Sequence, residues 1–230
     1  MPDMPFRYDP SHAALVVIDV QNDFCHPEGA VARLGSDVSA VESMVPRLIA
    51  LIDEARAASV PVVFVRTTHD ETDDSASWLS RYALEPDQAP PGVICRTGSW
   101  GAEFYGVAPE AGDIVITKHR YSAFVGTSLD MTLRTMGARS LLFTGVATEV
   151  CVESSLRDGL SAEYLVGLVA DAAATYTTQA QDASIAVVSR SFGVVTSSEE
   201  LVAAWRGAAT GATAPAESVN GRSPALPRRR

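Results

Sequence analysis

Apolar and polar positions follow two different rhythms along this chain. Residues 14–20 (ALVVIDV) form a nearly continuous apolar run rich in β-branched side chains, which suits a strand covered on both faces. Over 41–58 the rhythm changes: Val41, Met44, Val45, Leu48, Leu51, Ile52 and Ala55 recur at three- and four-residue spacing, the stripe of an amphipathic helix, and Ser39 with Glu42 offers a capping box at its start. The alternation then continues. Strands are predicted at 61–66 and 113–118, and a helix from about Ser128, with Leu129, Leu133 and Met136 on one face and Gly137 as its stop. A strand at 139–144, a helix beginning near Thr148, a strand at 164–169, a helix at 179–189, a short strand at 193–196 and a helix at 197–205 complete the series.

Strands alternating with helices imply right-handed crossover units. The predicted fold class is therefore α/β: a three-layer α/β/α sandwich around a mainly parallel, Rossmann-like sheet of about six strands. One domain over 1–206 accounts for the pattern. Residues 207–230, rich in Ala, Gly, Ser and Pro and closing on Arg228, Arg229 and Arg230, bury too little apolar surface to order themselves and read as a flexible tail. The irregular stretch 67–111 exceeds ordinary connection lengths, as functional lids and binding loops do, and is expected to help form a substrate pocket.

Composition narrows the function classes. With 230 residues, 47% of them hydrophobic, the chain can bury a full core. A net charge of −10 argues against general affinity for nucleic-acid phosphates and favours small-molecule partners. No basic stretch leads into an apolar run at the start, and no run approaches the roughly 18–20 apolar residues that span a bilayer, so a cytoplasmic protein without membrane contact is expected. Cys25, Cys95 and Cys151 are too few and too scattered for a disulfide framework or a paired-thiol zinc site.

In open parallel sheets ligands bind beyond the carboxyl ends of the strands. Three reactive side chains fall there: Asp19 at the end of VVIDV, Lys118 at the end of DIVITK, and Cys151, which follows LLFTG through the turn VATEV. Each alone has an ordinary reading, as a turn residue, a solvated strand-end lysine and a small core hydrophobe. Together they make a coherent chemistry. A thiol near a helix N-terminus and an ammonium ionises more readily, and a carboxylate can take its proton and return it. Thr148 as N-cap would put Cys151 in the first helical turn, where backbone N–H groups can hold an oxyanion.

Three segments, VVIDVQNDF at 16–24, TKHRYSAFVGTSLD at 117–130 and FTGVATEVCVESSLRDG at 143–159, resemble the signature blocks of the isochorismatase-like cysteine hydrolases, in that family's order. The last two are most similar to those of ureidoacrylate amidohydrolases, with N-carbamoylsarcosine amidases and biuret hydrolases as near relatives. The resemblance implies that Cys151 is the nucleophile, Asp19 the general base and later acid, and Lys118 their electrostatic partner. It also implies a non-proline cis peptide between Val146 and Ala147, with the N–H groups of Ala147 and Cys151 facing an oxyanion. The implied reaction cleaves a C–N bond of a small ureido or N-carbamoyl compound through a thioester-like intermediate, with no cofactor and no metal. Homodimers or homotetramers are the implied assembly.

Departures from the family's other branches refine this. Nicotinamidases carry a metal site of an Asp and closely spaced histidines after the second strand. The matching stretch here, VRTTHDETDD, has only His69, which reads as a solvated loop residue. Isochorismatases proper cleave a vinyl ether, for which a nucleophilic cysteine is no obvious need. Trp100, Tyr121 and Phe124 are candidate walls for a small planar substrate, with packing in the core as their alternative role. Glu149 and Glu153 read as dipole-complementing or surface residues, and Cys25 and Cys95 as packing residues. Competing readings are an isochorismatase or nicotinamidase-type hydrolase, or a catalytically idle binding module.

Overall fold

The β-branched apolar runs pair side by side into one six-stranded sheet, all parallel, in a computed structural model that describes residues 7–82 and 94–209. The strands are β1 (Ala13–Ile18), β2 (Val62–Thr67), β3 (Ile114–Lys118), β4 (Ser140–Gly145), β5 (Leu165–Ala173) and β6 (Val194–Thr196). Their order across the sheet is β3-β2-β1-β4-β5-β6. Winding proceeds outward from β1 to β3 and then restarts on the other side with β4. The chain therefore reverses direction between β1 and β4, and both of these strands are buried at every residue.

Eight α-helices lie among the described residues: α1 (Asn22–Cys25), α2 (Ala30–Arg33), α3 (Ser39–Ala57), α4 (Ala76–Leu79), α5 (Leu129–Thr135), α6 (Glu153–Ser161), α7 (Thr178–Ser191) and α8 (Ser198–Ala209). Successive strand residues point to opposite faces, and the core divides accordingly. Leu15 and Val17 of β1 join the apolar stripe of α3 and Leu201 and Trp205 of α8. Ala14, Val16 and Ile18 face Leu129 and Leu133 of α5, Leu156 of α6 and Val188 of α7. These are the three expected layers.

Several boundaries differ from the sequence reading. Strand β1 stops at Ile18, because Asp19 turns into the left-handed region at φ +51° and Gln21 N–H donates back to its carbonyl at 2.8 Å. Helix α3 begins at Ser39 with Val38 as its cap, and no side-chain cap forms; Asp37 Oδ1 accepts the Ser39 N–H instead, displacing the expected Ser39–Glu42 box. Strand β5 runs four residues beyond 169, carried by a register shift that pairs Gly145 with Ala173. Thr148 is not an N-cap. Ala147 takes that place before a π-helical turn, Thr148–Val152, that leads into α6. Helix α8 continues through Gly207 to Ala209, past the expected start of the tail; residues 210–230, with the arginine cluster, lie outside the described residues.

Glycine is required where β4 leaves β1. Gly145 has φ +101°, and a Cβ there would sit 2.0 Å from the Ile18 carbonyl oxygen. That closeness lets Val146 N–H donate to the same oxygen at 2.9 Å and steers the following turn across the end of β1. Among the described residues no helix is long and apolar enough to cross a membrane.

Candidate active site

The switch in winding direction opens a crevice at the carboxyl ends of β1 and β4, the place where such sheets bind ligands. Asp19 follows β1, and Cys151 lies in the π-helical turn after β4. Lys118 is two strands away from β1 on β3, a separation of roughly 9–10 Å from strand spacing. Its long side chain crosses β2, passing Thr67 Oγ1 at 3.3 Å, and brings Nζ 2.7 Å from Asp19 Oδ2 and 3.6 Å from Cys151 Sγ. The Arg120 carbonyl accepts a further Nζ hydrogen bond at 3.0 Å. Only an extended cationic side chain can make this bridge.

The three groups are withdrawn from water: Asp19 is 0%, Lys118 1% and Cys151 8% exposed. Burial raises the Asp19 pKa above the ordinary carboxylate range, although the Lys118 charge and hydrogen bonds from Lys118 and Cys151 oppose it. Burial works against the Lys118 ammonium as well, but Asp19 and Cys151 outweigh it, and Lys118 titrates above its usual value. The Cys151 thiol is pushed up by burial, with Lys118 opposing. This corrects the expectation of an easily ionised thiol: desolvation exceeds the pull of the ammonium. The raised carboxylate is in turn a stronger base, so the proton can pass between sulfur and Asp19 inside the site.

The turn carrying Cys151 is shaped by its backbone. The Val146–Ala147 peptide is cis. Thr148 N–H donates to the Ala174 carbonyl, while Val150 and Val152 N–H groups both donate to the Ala147 carbonyl. Ala147 and Cys151 both border a cavity of about 110 Å³ that opens from the crevice. Its walls include Phe24, Val31, Trp78, Tyr121, Val150 and Tyr176. The stretch 67–111 contributes Thr67, His69, Trp78, Arg81 and Ile94, although 83–93 lie outside the described residues.

Of the aromatic candidates, Tyr121 lines this cavity and the other two do not. Trp100 is 45% exposed in a short turn pinned by Asn22 Nδ2, which donates to its carbonyl, and its ring meets His26 edge-on. Phe124 packs on the α5 to α7 side of the core beside Tyr164. Trp78, which the sequence did not single out, occupies the wall instead, 4.9 Å from the Tyr121 ring. Glu149 accepts from Thr175 Oγ1, and Glu153, buried rather than surface-placed, accepts from Arg157 and Ser184. Cys25 and Cys95 are buried, and burial pushes both thiols up.

His69 is not a solvated loop residue. It is 6% exposed, its Nδ1 lies 2.7 Å from Asp73 Oδ1, and burial lowers its pKa while Asp73 opposes that shift. His119, one residue beyond Lys118, brings its Nδ1 3.2 Å from the other Asp73 oxygen and 2.7 Å from the Thr68 carbonyl. His69, Asp73 and His119 thus offer ligand atoms within 4.8 Å of one another, a group able to hold a metal ion, while the two Nδ1 atoms contact Asp73 and Thr68 and the Arg120 guanidinium stands 3.9 Å from Asp73. Fifty residues separate the two histidines, so spacing gave no signal of their meeting.

Gln21 was also missed. Its buried amide donates to the Thr67 and Ala102 carbonyls, each at 2.8 Å, and accepts the Thr67 N–H at 2.7 Å. The turn that holds Asp19 is thereby fastened to the end of β2 and to the 100–102 segment.

Comparison with known proteins places the sequence and the fold. The sequence profile of the isochorismatase domain matches residues 13–200. The ureidoacrylate amidohydrolase RutB of Methylobacterium radiotolerans is 40% identical over 178 residues, 73% of this chain and 69% of the relative. Among solved structures, a cysteine hydrolase from Pseudomonas syringae pv. phaseolicola superposes with a TM-score of 0.76 at 27% identity, covering 86% of this chain and 94% of the other. The N-carbamoylsarcosine amidase of Thermoplasma acidophilum gives 0.65 at 28% identity, covering 82% and 97%. With a domain match across most of its length and a sheet that carries its reactive groups at the β1/β4 crevice, this chain belongs to the isochorismatase family.

Proposed function

We propose that the protein is a cysteine amidohydrolase that cleaves the carbamoyl C–N bond of a small ureido compound of the ureidoacrylate type and releases ammonia. The observation that carries this reading is the buried contact of Lys118 Nζ with both Asp19 and Cys151 at the mouth of a small, aromatic-walled cavity. The names of its relatives, ureidoacrylate amidohydrolase and N-carbamoylsarcosine amidase, point to the same substrate class.

In the proposed reaction Asp19 takes the Cys151 proton and the thiolate adds to the ureido carbonyl, with Lys118 offsetting the negative charge shared between sulfur and carboxylate. The tetrahedral oxyanion is received by the N–H groups of Ala147 and Cys151. As the adduct collapses, the C–N bond breaks and Asp19 returns its proton to the departing nitrogen. Water, deprotonated by the same carboxylate, then adds to the S-carbamoyl carbon. The sulfur leaves as thiol, and the carbamate product decomposes to carbon dioxide and the second nitrogen compound. The enzyme acts in the cytoplasm as a homodimer or homotetramer in this reading.

Ammonia release from ureidoacrylate, N-carbamoylsarcosine, biuret and nicotinamide, with Cys151→Ala as control, tests the proposal. Turnover of a ureido compound that the substitution abolishes supports it. Turnover of nicotinamide alone, or of none with a correctly folded protein, rejects it.

A further inference from the structure

The cavity beside Cys151 reverses the sign of the protein's charge. The chain carries a net −10, yet Arg81, Lys118 and Arg120 line this cavity and no carboxylate side chain does among the described residues. Lys118 is committed to Asp19 and Cys151. The two guanidinium groups gather around the aromatic wall, with Arg81 Cζ 3.6 Å and Arg120 Cζ 5.0 Å from the Trp78 ring centroid. Arg81 Nε donates to the Tyr121 hydroxyl at 3.0 Å, which ties the first guanidinium to the second aromatic of that wall.

Arg120 is held in a way that leaves its charge available. Its hydrogen bonds go to two main-chain carbonyls, those of His119 and Asp73, and among the described residues its ion pairing is a single long contact with Asp73 at 3.9 Å. Asp73 spends its oxygens on His69 Nδ1 and His119 Nδ1 and on the Asp70 N–H. Of the five N–H donors of a guanidinium, two are used by those carbonyls, so the remaining ones can meet a planar anion two-pronged.

We propose that Arg120 is a specificity-determining residue that binds a carboxylate of the substrate, so that the site selects ureido acids over neutral ureides. The inference rests on the hydrolase reading for the identity of the reacting group, but its recognition step stands apart from the chemistry. The carbamoyl end lies at Cys151 and the acid end at the Arg120 side of the cavity, with the intervening carbons against Trp78 and Tyr121. A lining that among the described residues carries cations and no carboxylate also attracts an anionic substrate out of bulk solution, against the repulsion of the acidic protein as a whole.

The test uses Cys151→Ala protein and two probes that differ only in charge, 3-ureidopropionate and its neutral primary amide, titrated by calorimetry. The acid binds at least ~10-fold more tightly than the amide, and adding Arg120→Gln reduces that ratio at least ~10-fold, the scale of a lost charge-assisted hydrogen bond. Arg120→Lys, which keeps the charge but not the fork, retains part of the preference. General damage to the fold would weaken both probes equally, and an unchanged ratio in Arg120→Gln, or no preference in the parent, overturns the proposal. Turnover of ureidoacrylate by protein with intact Cys151 is measured separately. Arg120-dependent acid binding without turnover removes the hydrolase reading and keeps the carboxylate subsite; turnover with an Arg120-independent ratio does the reverse.

Discussion

Lys118 Nζ lies 2.7 Å from a carboxylate oxygen of Asp19 and 3.6 Å from the sulfur of Cys151, so one buried cation contacts both groups that exchange a proton in the proposed reaction. Removing it strands whichever of them carries charge. Lys118→Met is expected to lose about 3–5 kcal/mol of stability, the scale of an uncompensated buried charge, together with nearly all activity. Adding Asp19→Asn to that variant restores part of the stability and none of the turnover. Denaturant unfolding of the single and double variants checks this, and a double variant less stable than Lys118→Met would contradict it.

The pH dependence follows from Asp19. Burial favours its protonated form, so its folded pKa lies above the ordinary carboxylate range. The base is present above that pKa, and activity is lost as pH falls through it. The acid limb of kcat/KM should therefore appear at a higher pH than a solvent-exposed aspartate would give. A limb at the position of an ordinary carboxylate would show that burial is not the dominant influence on Asp19.

Thiol chemistry separates Cys151 from the other two cysteines. All three thiols are raised by burial, but only Cys151 borders the cavity. Iodoacetamide at neutral pH should alkylate Cys151 more slowly than free cysteine and leave Cys25 and Cys95 untouched until the protein unfolds. Lys118→Ala slows the Cys151 reaction further, since the ammonium is what opposes the upward shift. Peptide mapping of partially modified protein gives the order of reaction.

Gly145→Ala meets both a left-handed backbone at φ +101° and a main-chain oxygen 2.0 Å from the new Cβ. Neither strand can yield without moving the end of β1. A loss of about 3 kcal/mol or more is expected, at the upper end for overpacking. Because the same contact aims the turn toward Cys151, turnover should fall in the protein that remains folded. Thermal unfolding combined with activity per folded molecule separates the two effects.

The strand run 14–20 and the helical stripe of α3 were legible because a strand buried on both faces leaves an unbroken apolar run and a helix a three- and four-residue period, and the ends of such runs locate Asp19, Lys118 and the turn that carries Cys151. The cavity wall was less so. Trp78 and Arg81 sit in a stretch with no periodicity, and the meeting of His69 with His119 depends on β2 and β3 pairing Thr67 with Lys118. Trp100 and Phe124 lay beside recognisable blocks, but adjacency in sequence does not set the direction of a side chain. The helix cap was misplaced by one residue, since Val38 takes that position and Asp37 Oδ1 accepts the Ser39 N–H.

The amide of Gln21 fastens Thr67 and Ala102 to the turn that carries Asp19. Between those two fasteners the chain supplies Trp78, Arg81 and Ile94 to the cavity, while Asp19, Lys118 and Cys151 all lie outside them. Insertions or substitutions within that interval can therefore reshape that part of the cavity wall while Asp19, Lys118 and Cys151 keep their places on other elements. One part of the wall is thus carried on a stretch of chain separate from the proposed catalytic groups, whereas Arg120 and Tyr121 travel with Lys118.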